Sequence, residues 1–261
     1  MIKTLVLPYS LGKRFSIQFL AVFWIALMGV AWIFAPASTG IPSPAAIVGA
    51  WNKLALEQAL LLELYNSTIV IWKALIASAL ISGAIAALYT ADLLKPVGTF
   101  IASLRFLGFA GLTFLFTLWT SDGSHLKLAL LTFGMTVFLT RSTIDMVKSI
   151  PQSDIDYARS LGLSGWGLTY ELVVRGRSAE MMDLVRQNAA VGWTLLSMVE
   201  GLVRSEGGIG AMLLNQNKYF NLSAVFAIQL TILAYGILQD IGLNALRGVL
   251  CPWTRLNRSD R

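Results

Sequence analysis

The chain alternates between long apolar runs and short polar connectors. Six stretches carry the apolar character: Phe15–Ala35, Ser67–Leu88, Val97–Trp119, Leu126–Thr143, Ala189–Val203 and Ala224–Leu243. A helix needs about 20 apolar residues to cross a hydrocarbon core, and most of these runs reach that length. The fifth is short and is expected to begin earlier, near Met181. Lipid gives backbone N–H and C=O groups no partner, so spans this apolar must be helical. A transmembrane barrel would instead display alternating segments of about ten residues, and this sequence has none. The expected fold is an all-α, polytopic membrane bundle of about six helices.

The connectors add detail. Ala45–Tyr65 reads as an amphipathic helix lying along the outer surface, with Trp51, Leu54, Leu61 and Leu64 apolar and Lys53, Glu57 and Glu63 polar. The second run is rich in small residues (Ala74, Ala77, Ser78, Ser82, Gly83, Ala86), which let helix backbones approach closely. Ser121–His125 is a tight turn. The longest polar connector, about 144–180, holds a short charged helix followed by glycines. Asp154 and Asp156 stand at its front, where carboxylates favour the positive end of the helix dipole, and Ser153 or Asp154 is the expected N-cap. Gly162 suits the C′ position, and a second helical stretch is expected around Leu168–Val174.

Composition supports the membrane reading. The chain is 56% hydrophobic and 13% charged, too little charge to coat a soluble protein of this apolarity. Mean hydropathy is +0.68. Lys and Arg set the orientation. With the N-terminus cytoplasmic, that side holds Lys3, Lys13, Arg14, Lys95, Arg105, Arg141, Lys148, Arg159, Arg175, Arg177, Arg186, Arg247, Arg255, Arg258 and Arg261. The other side holds Lys53, Lys127, Arg204 and Lys218, with Lys73 near the outer end of the second run. Both termini are therefore expected in the cytoplasm, with residues 1–14 an inner segment, 15–253 the membrane domain and 254–261 a basic tail. The net charge of +6 is topological: basic residues are spread over separate loops, so no nucleic acid partner is implied. Lys13-Arg14 ahead of the first run, and Ala35-Pro36-Ala37 behind it, resemble a signal peptide. That run exceeds the usual length, however, and removing it would leave an odd number of spans, so it is read as retained.

Catalytic chemistry finds little support. His125, the single histidine, sits in a turn with Asp122 three residues before it and reads as an exposed loop residue. There is no phosphate-binding loop, no nucleophile elbow and no His/Cys metal spacing, and Cys251 is the lone cysteine. No cofactor is expected on this chain.

The polar connector resembles the EAA signature of the permease subunits of binding-protein-dependent ABC importers: Glu-Ala-Ala, three residues, Gly, nine residues, Ile-x-Leu-Pro. Here the register is Asp156-Tyr157-Ala158, then Arg159-Ser160-Leu161, Gly162, nine residues and Leu172-Val173-Val174-Arg175. Tyr157 replaces the first Ala and Arg175 the Pro. Pro96 with Leu104-Arg105, Glu200 with Gly207-Gly208-Ile209-Gly210, and the ending Pro252-Trp253 are similar to the nitrate/sulfonate/taurine-type branch. The resemblance covers roughly residues 50–253 and implies a type I ABC importer permease fold in a bacterial inner membrane. It further implies that Asp156, Tyr157, Ala158, Arg159, Ser160, Leu161 and Gly162 form a coupling helix docking on a separate ATPase subunit, which uses the ATP. A second permease subunit (identical or a paralogue), an extracytoplasmic binding protein and membrane lipids complete the implied partners, and the solute would be an oxyanion or organosulfonate. Arg105 then lies beside the pathway near its inner mouth, or snorkels to lipid phosphate or a structural partner. Glu200 is either a substrate ligand or an acceptor holding the glycine turn. Two other readings stand beside this one. Ala158-Arg159-Ser160 resembles one motif of energy-coupling-factor transmembrane subunits, without the second. A lipid-modifying membrane enzyme would need clustered polar residues at one interface.

Overall fold

The computed structural model describes residues 42–253 and a few helical positions between residues 22 and 32; the expected first span, Phe15–Ala35, and the terminal segments 1–14 and 254–261 lie essentially outside the described residues. Ten α-helices follow: α1 (Pro44–Glu57), α2 (Leu60–Tyr89), α3 (Lys95–Ser103), α4 (Phe109–Thr117), α5 (Gly123–Lys148), α6 (Gln152–Ser160), α7 (Gly165–Thr169), α8 (Ser178–Leu202), α9 (Ile209–Lys218) and α10 (Leu222–Leu250). The all-α class expected from the apolar runs is what forms.

α1 starts where Ser43 caps the Ala46 N–H (3.3 Å) ahead of Pro44, whose missing N–H costs nothing at that position. It ends at Glu57, short of the expected Tyr65. Ala59 adopts a left-handed conformation (φ 53°) and redirects the chain, so Leu61 and Leu64 belong to α2. Nor does α1 lie apart on the surface. It packs on α10, burying Ile47 and Leu54, and the Trp51 indole donates to Thr231 Oγ1 at 3.1 Å.

α5 is the axis of the bundle. It opens with Asp122 accepting from the His125 N–H (2.8 Å), a backbone bond that holds the Asp122 carboxyl below its ordinary range. It then packs against α2, α8, α3 and α4, burying Leu130, Leu131, Met135, Leu139 and Ile144. The small residues of α2 make the closest approach: Ser82 Oγ donates to the Thr136 carbonyl (3.2 Å) and accepts from Thr140 Oγ1 (3.2 Å), while Ala74, Ser78 and Ala86 are fully buried or nearly so.

Among the described residues, three helices, α2, α5 and α10, are long and apolar enough to cross a membrane. α8 has the length, at 25 residues, but carries Glu180, Asp183, Arg186 and Glu200. The expected third span is not one straight helix. Lys95–Phe106 and Gly111–Thr117 meet at 114°, and together they make a broken span or a re-entrant loop. The break falls at Leu107 and Gly108, both extended (ψ 129° and 131°), after a 3-10 turn over Leu104–Phe106. Arg105 therefore sits in that exposed turn, its guanidinium 4.9 Å from the Phe106 ring centroid, and not one third of the way along a continuous helix.

Close packing should outweigh hydrogen bonding at the α2–α5 contact. Ser82→Ala is expected to cost about 0.6 kcal/mol, the average for an interhelical hydrogen bond in a membrane protein. Ser82→Leu should cost roughly 1–3 kcal/mol by overpacking. Thermal unfolding of the two variants in one detergent checks the order.

Candidate functional site

The polar connector between α5 and α8 folds into a defined unit. Pro151 occupies the N-cap of α6 (φ −69°, ψ 147°), so neither Ser153 nor Asp154 caps it; the proline's fixed φ starts the helix one turn earlier than the polar residues suggest. Asp154 lies in the first turn, and Gln152 Nε2 donates to Asp156 Oδ1 at 3.0 Å. The other end is a Schellman motif. Gly162 is left-handed (φ 84°), its N–H donates to the Arg159 carbonyl (2.9 Å), and the Leu163 N–H donates to the Ala158 carbonyl (3.2 Å).

The helix has two unlike sides. Ala158 is buried and Ile155 half-buried against the bundle, while Tyr157 and Leu161, one turn apart, are 68% and 64% exposed. Asp156, Arg159 and Ser160 are exposed beside them, with Arg159 3.8 Å from Asp156. Trp166 and Tyr170 extend the exposed aromatic surface beyond Gly162. Tyr157, Leu161, Trp166 and Tyr170 thus stand out as exposed apolar side chains on a polar connector.

The chain returns to the bundle without the proline of the EAA pattern. α7 continues into a π-helical turn over Tyr170–Arg175, and the Gly176 N–H closes it on the Glu171 carbonyl at 2.8 Å. A Cβ at Gly176 would lie 2.9 Å from both the Glu171 and Leu172 carbonyl oxygens, so glycine is what lets the wide turn close. Arg175 leaves the backbone unhindered and pairs outward with Glu171 at 3.1 Å. Thr90 Oγ1 and Thr169 Oγ1 (2.9 Å apart) tie α7 to the end of α2.

At the far end of α8 is a second polar cluster. The first N–H groups of α9 have no helical partner, and side chains from α2 and α8 supply acceptors. The Gly208 N–H donates to Glu63 Oε2 (2.6 Å), Ile209 N–H to Ser67 Oγ (3.0 Å) and Gly210 N–H to Glu200 Oε2 (2.8 Å). Ser67 Oγ donates in turn to Glu200 Oε1 at 2.7 Å. Lys127 Nζ lies 3.5 Å from Glu200 and donates to the Gly207 carbonyl at 3.0 Å. Glu200 is fully buried, and its carboxylate faces a helix N-terminus and a cation, both favourable for negative charge.

The structure thus gathers Asp156 to Gly162 on one short element. Arg105 and Glu200 occupy different elements, and no contact joins them among the described residues. Sequence reasoning missed Ser67 and Lys127 as partners of Glu200, and Glu63 as the acceptor for the Gly208 N–H. A signal existed in Glu63 and Ser67, four residues apart on one helix face, and in a lysine close to an apolar run.

Removing one partner of a buried ion pair costs about 3–5 kcal/mol, because the other charge is stranded. Lys127→Met should therefore lower thermal stability sharply, and adding Glu200→Gln, which keeps an acceptor for Gly210, should recover part of the loss. A melting series of both single variants and the double variant in detergent reads this.

No family model matches the chain. It is 28% identical to the taurine transport system permease protein TauC of Escherichia coli (strain K12) over 139 residues, 53% of this chain and 50% of that one. A putative ABC transporter permease protein of Methanocaldococcus jannaschii is 23% identical over 138 residues, 53% of this chain and 52% of its own. The match to both spans only about half their length. The putative aliphatic sulfonates transport permease protein SsuC of E. coli (strain K12) is 25% identical over 236 residues, 88% of this chain and 87% of that one. The chain is thus all-α and is similar, at 23–28% identity, to proteins named as permeases of taurine, aliphatic sulfonate and ABC transport systems.

Proposed function

We propose that the chain is the transmembrane permease subunit of a binding-protein-dependent ABC importer, residues 15–253 forming one half of a pathway for a small anionic solute. Its relatives are named for taurine and aliphatic sulfonates, which makes organosulfonates and oxyanions the solute class. As a permease it catalyses no covalent step and binds no cofactor. A separate ATPase uses the ATP, an extracytoplasmic protein delivers the solute, and a second permease subunit completes the pathway. The charge asymmetry of the loops supports six spans in a bacterial inner membrane, with both termini and the α6 face in the cytoplasm.

The observation that carries this reading is α6 itself: a capped, nine-residue helix on the connector, with Tyr157 and Leu161 outward and Ala158 inward. It follows α5, the most enclosed helix, and leads through a hydrogen-bonded π turn into α8. A push on α6 would reach both helices through short, well-bonded joints. Tyr157 and Leu161 are the side chains assigned to the ATPase groove, and Asp156, Arg159 and Ser160 its polar rim. Arg105, exposed in the turn beside the break of the third span, is the cation assigned to drawing the anion along the pathway.

Gly162 gives the test. Nothing lies within 4 Å of a Cβ placed there, so a substitution acts through backbone conformation alone. Gly162→Asn tolerates the left-handed region and should keep ATPase capture and solute uptake near the parent level. Gly162→Val cannot adopt it without strain and should lose at least tenfold in uptake and fail to pull down an ATPase from the native host. Parent protein that captures no ATPase, or valine and asparagine variants that behave alike, would sink the permease reading.

A further inference from the structure

One cavity is not used by the function proposed above. It has a volume of about 610 Å³ and lies behind α6 and α7, roofed by the ends of α2 and α5 and the start of α3. Three cationic side chains line it: Lys95 from α3, Lys148 from the last turn of α5, and Arg159 from α6. All three are exposed residues, so none has its charge buried in the protein. The hydroxyl-bearing residues Thr90 and Thr169, hydrogen-bonded to each other at 2.9 Å, also face it. No Asp or Glu is among the residues lining it. Arg159 lies 3.8 Å from Asp156, and Lys148 stands 5.6 Å from the Tyr89 ring centroid.

The rest of the lining is aliphatic, including Val147, Ile150, Ile155, Leu168 and Leu172. A water-soluble anion would gain nothing from those walls, whereas an amphiphile would use both. The position fits as well: the cavity sits at the ends of α2 and α5, two helices long and apolar enough to cross a membrane. Basic pockets between helices at the cytoplasmic surface are suited to anionic headgroups.

We propose that this cavity binds the phosphodiester headgroup of one anionic phospholipid, with Lys148, Arg159 and Lys95 as its cationic ligands and the aliphatic wall against its glycerol and upper acyl segments. The site rests on the inward orientation of the α6 face argued above. A lipid held there bridges the ends of α2, α3 and α5 to α6 and α7, so it steadies the connector against the bundle. Arg159 faces the lipid site and Asp156 at once, which makes it the residue through which occupancy reaches the contact surface.

The test uses the full chain in mild detergent, with bound lipid counted by native mass spectrometry. Phosphatidylglycerol, phosphatidylcholine, and inorganic phosphate with glycerol phosphate are the three probes. We expect one phosphatidylglycerol retained per chain, held at least tenfold more tightly than phosphatidylcholine and not displaced by millimolar soluble phosphates. At roughly fivefold per cation near a membrane surface, the Lys148→Gln/Arg159→Gln variant should bind about 25-fold more weakly, and Lys148→Arg should keep the lipid. Equal retention of phosphatidylcholine, displacement by inorganic phosphate, or a double variant with parent affinity each overturns the proposal. Displacement by phosphate would make this a soluble-anion site instead. The headgroup comparison on the parent chain stands even where the double variant does not fold. Lipid retention requires neither ATPase nor transport, so loss of ATPase capture with the lipid still bound would fail the permease reading alone.

Discussion

A backbone that leaves its helical ladder inside an apolar bundle must find its partners there, because lipid supplies none. Among the described residues, three such places are each closed differently. At the glycine turn before α9, the exposed N–H groups of residues 208 to 210 are taken by Glu63, Ser67 and Glu200. At the entry to α8 a π turn is closed from within, by the Gly176 N–H on the Glu171 carbonyl. At Leu107 and Gly108 the chain closes a 3-10 turn on one side, Leu107 N–H to Leu104 carbonyl, and opens α4 on the other, where the Leu112 N–H bonds the Gly108 carbonyl.

α8 connects two of the three places. It begins at the π turn and ends beside Glu200, whose carboxylate fixes the start of α9. Along the way it packs on α5, and near its start Asp183 and Arg186 pair with Arg247 and Asp240 of α10, both at 3.0 Å. α8 is thus held by ion pairs near its start and by a buried carboxylate near its end. In the proposed importer, such a helix would carry displacement from the connector to the opposite face, with α5 as its bearing.

The apolar runs made the class of fold legible, since a period of composition set by membrane thickness needs no tertiary information. The small-residue face of α2 was legible for the same reason: Ser78, Ser82 and Ala86 announce close approach whatever the neighbour. Gly162 as the stop of α6 was legible from conformational preference alone. Three features were not. The break at Leu107–Gly108 hides in a run apolar throughout, where hydropathy cannot distinguish a straight helix from a bent one. The end of α1 at Glu57 depends on Ala59 taking a left-handed conformation, against its own preference, so that Leu54 can pack on α10. The partners of Glu200 are Ser67 of α2, Lys127 of α5 and Gly210 of α9, and only the fold brings them to one point.

Arg175 best illustrates how pattern and physics separate. A proline at that position of the EAA signature would end the preceding helix by removing an N–H and crowding the turn before it. Here the same redirection is reached by widening the turn to a π-helical one and placing a residue without Cβ where two carbonyl oxygens come within 2.9 Å of that site. The arginine keeps its N–H and gains an ion pair to Glu171, so the segment stays hydrogen-bonded where a proline would leave it open. A bonded turn yields less under load than an open one. In the proposed importer, motion of α6 would then be passed to α8 rather than absorbed in the joint, so the departure from the signature would be compatible with coupling.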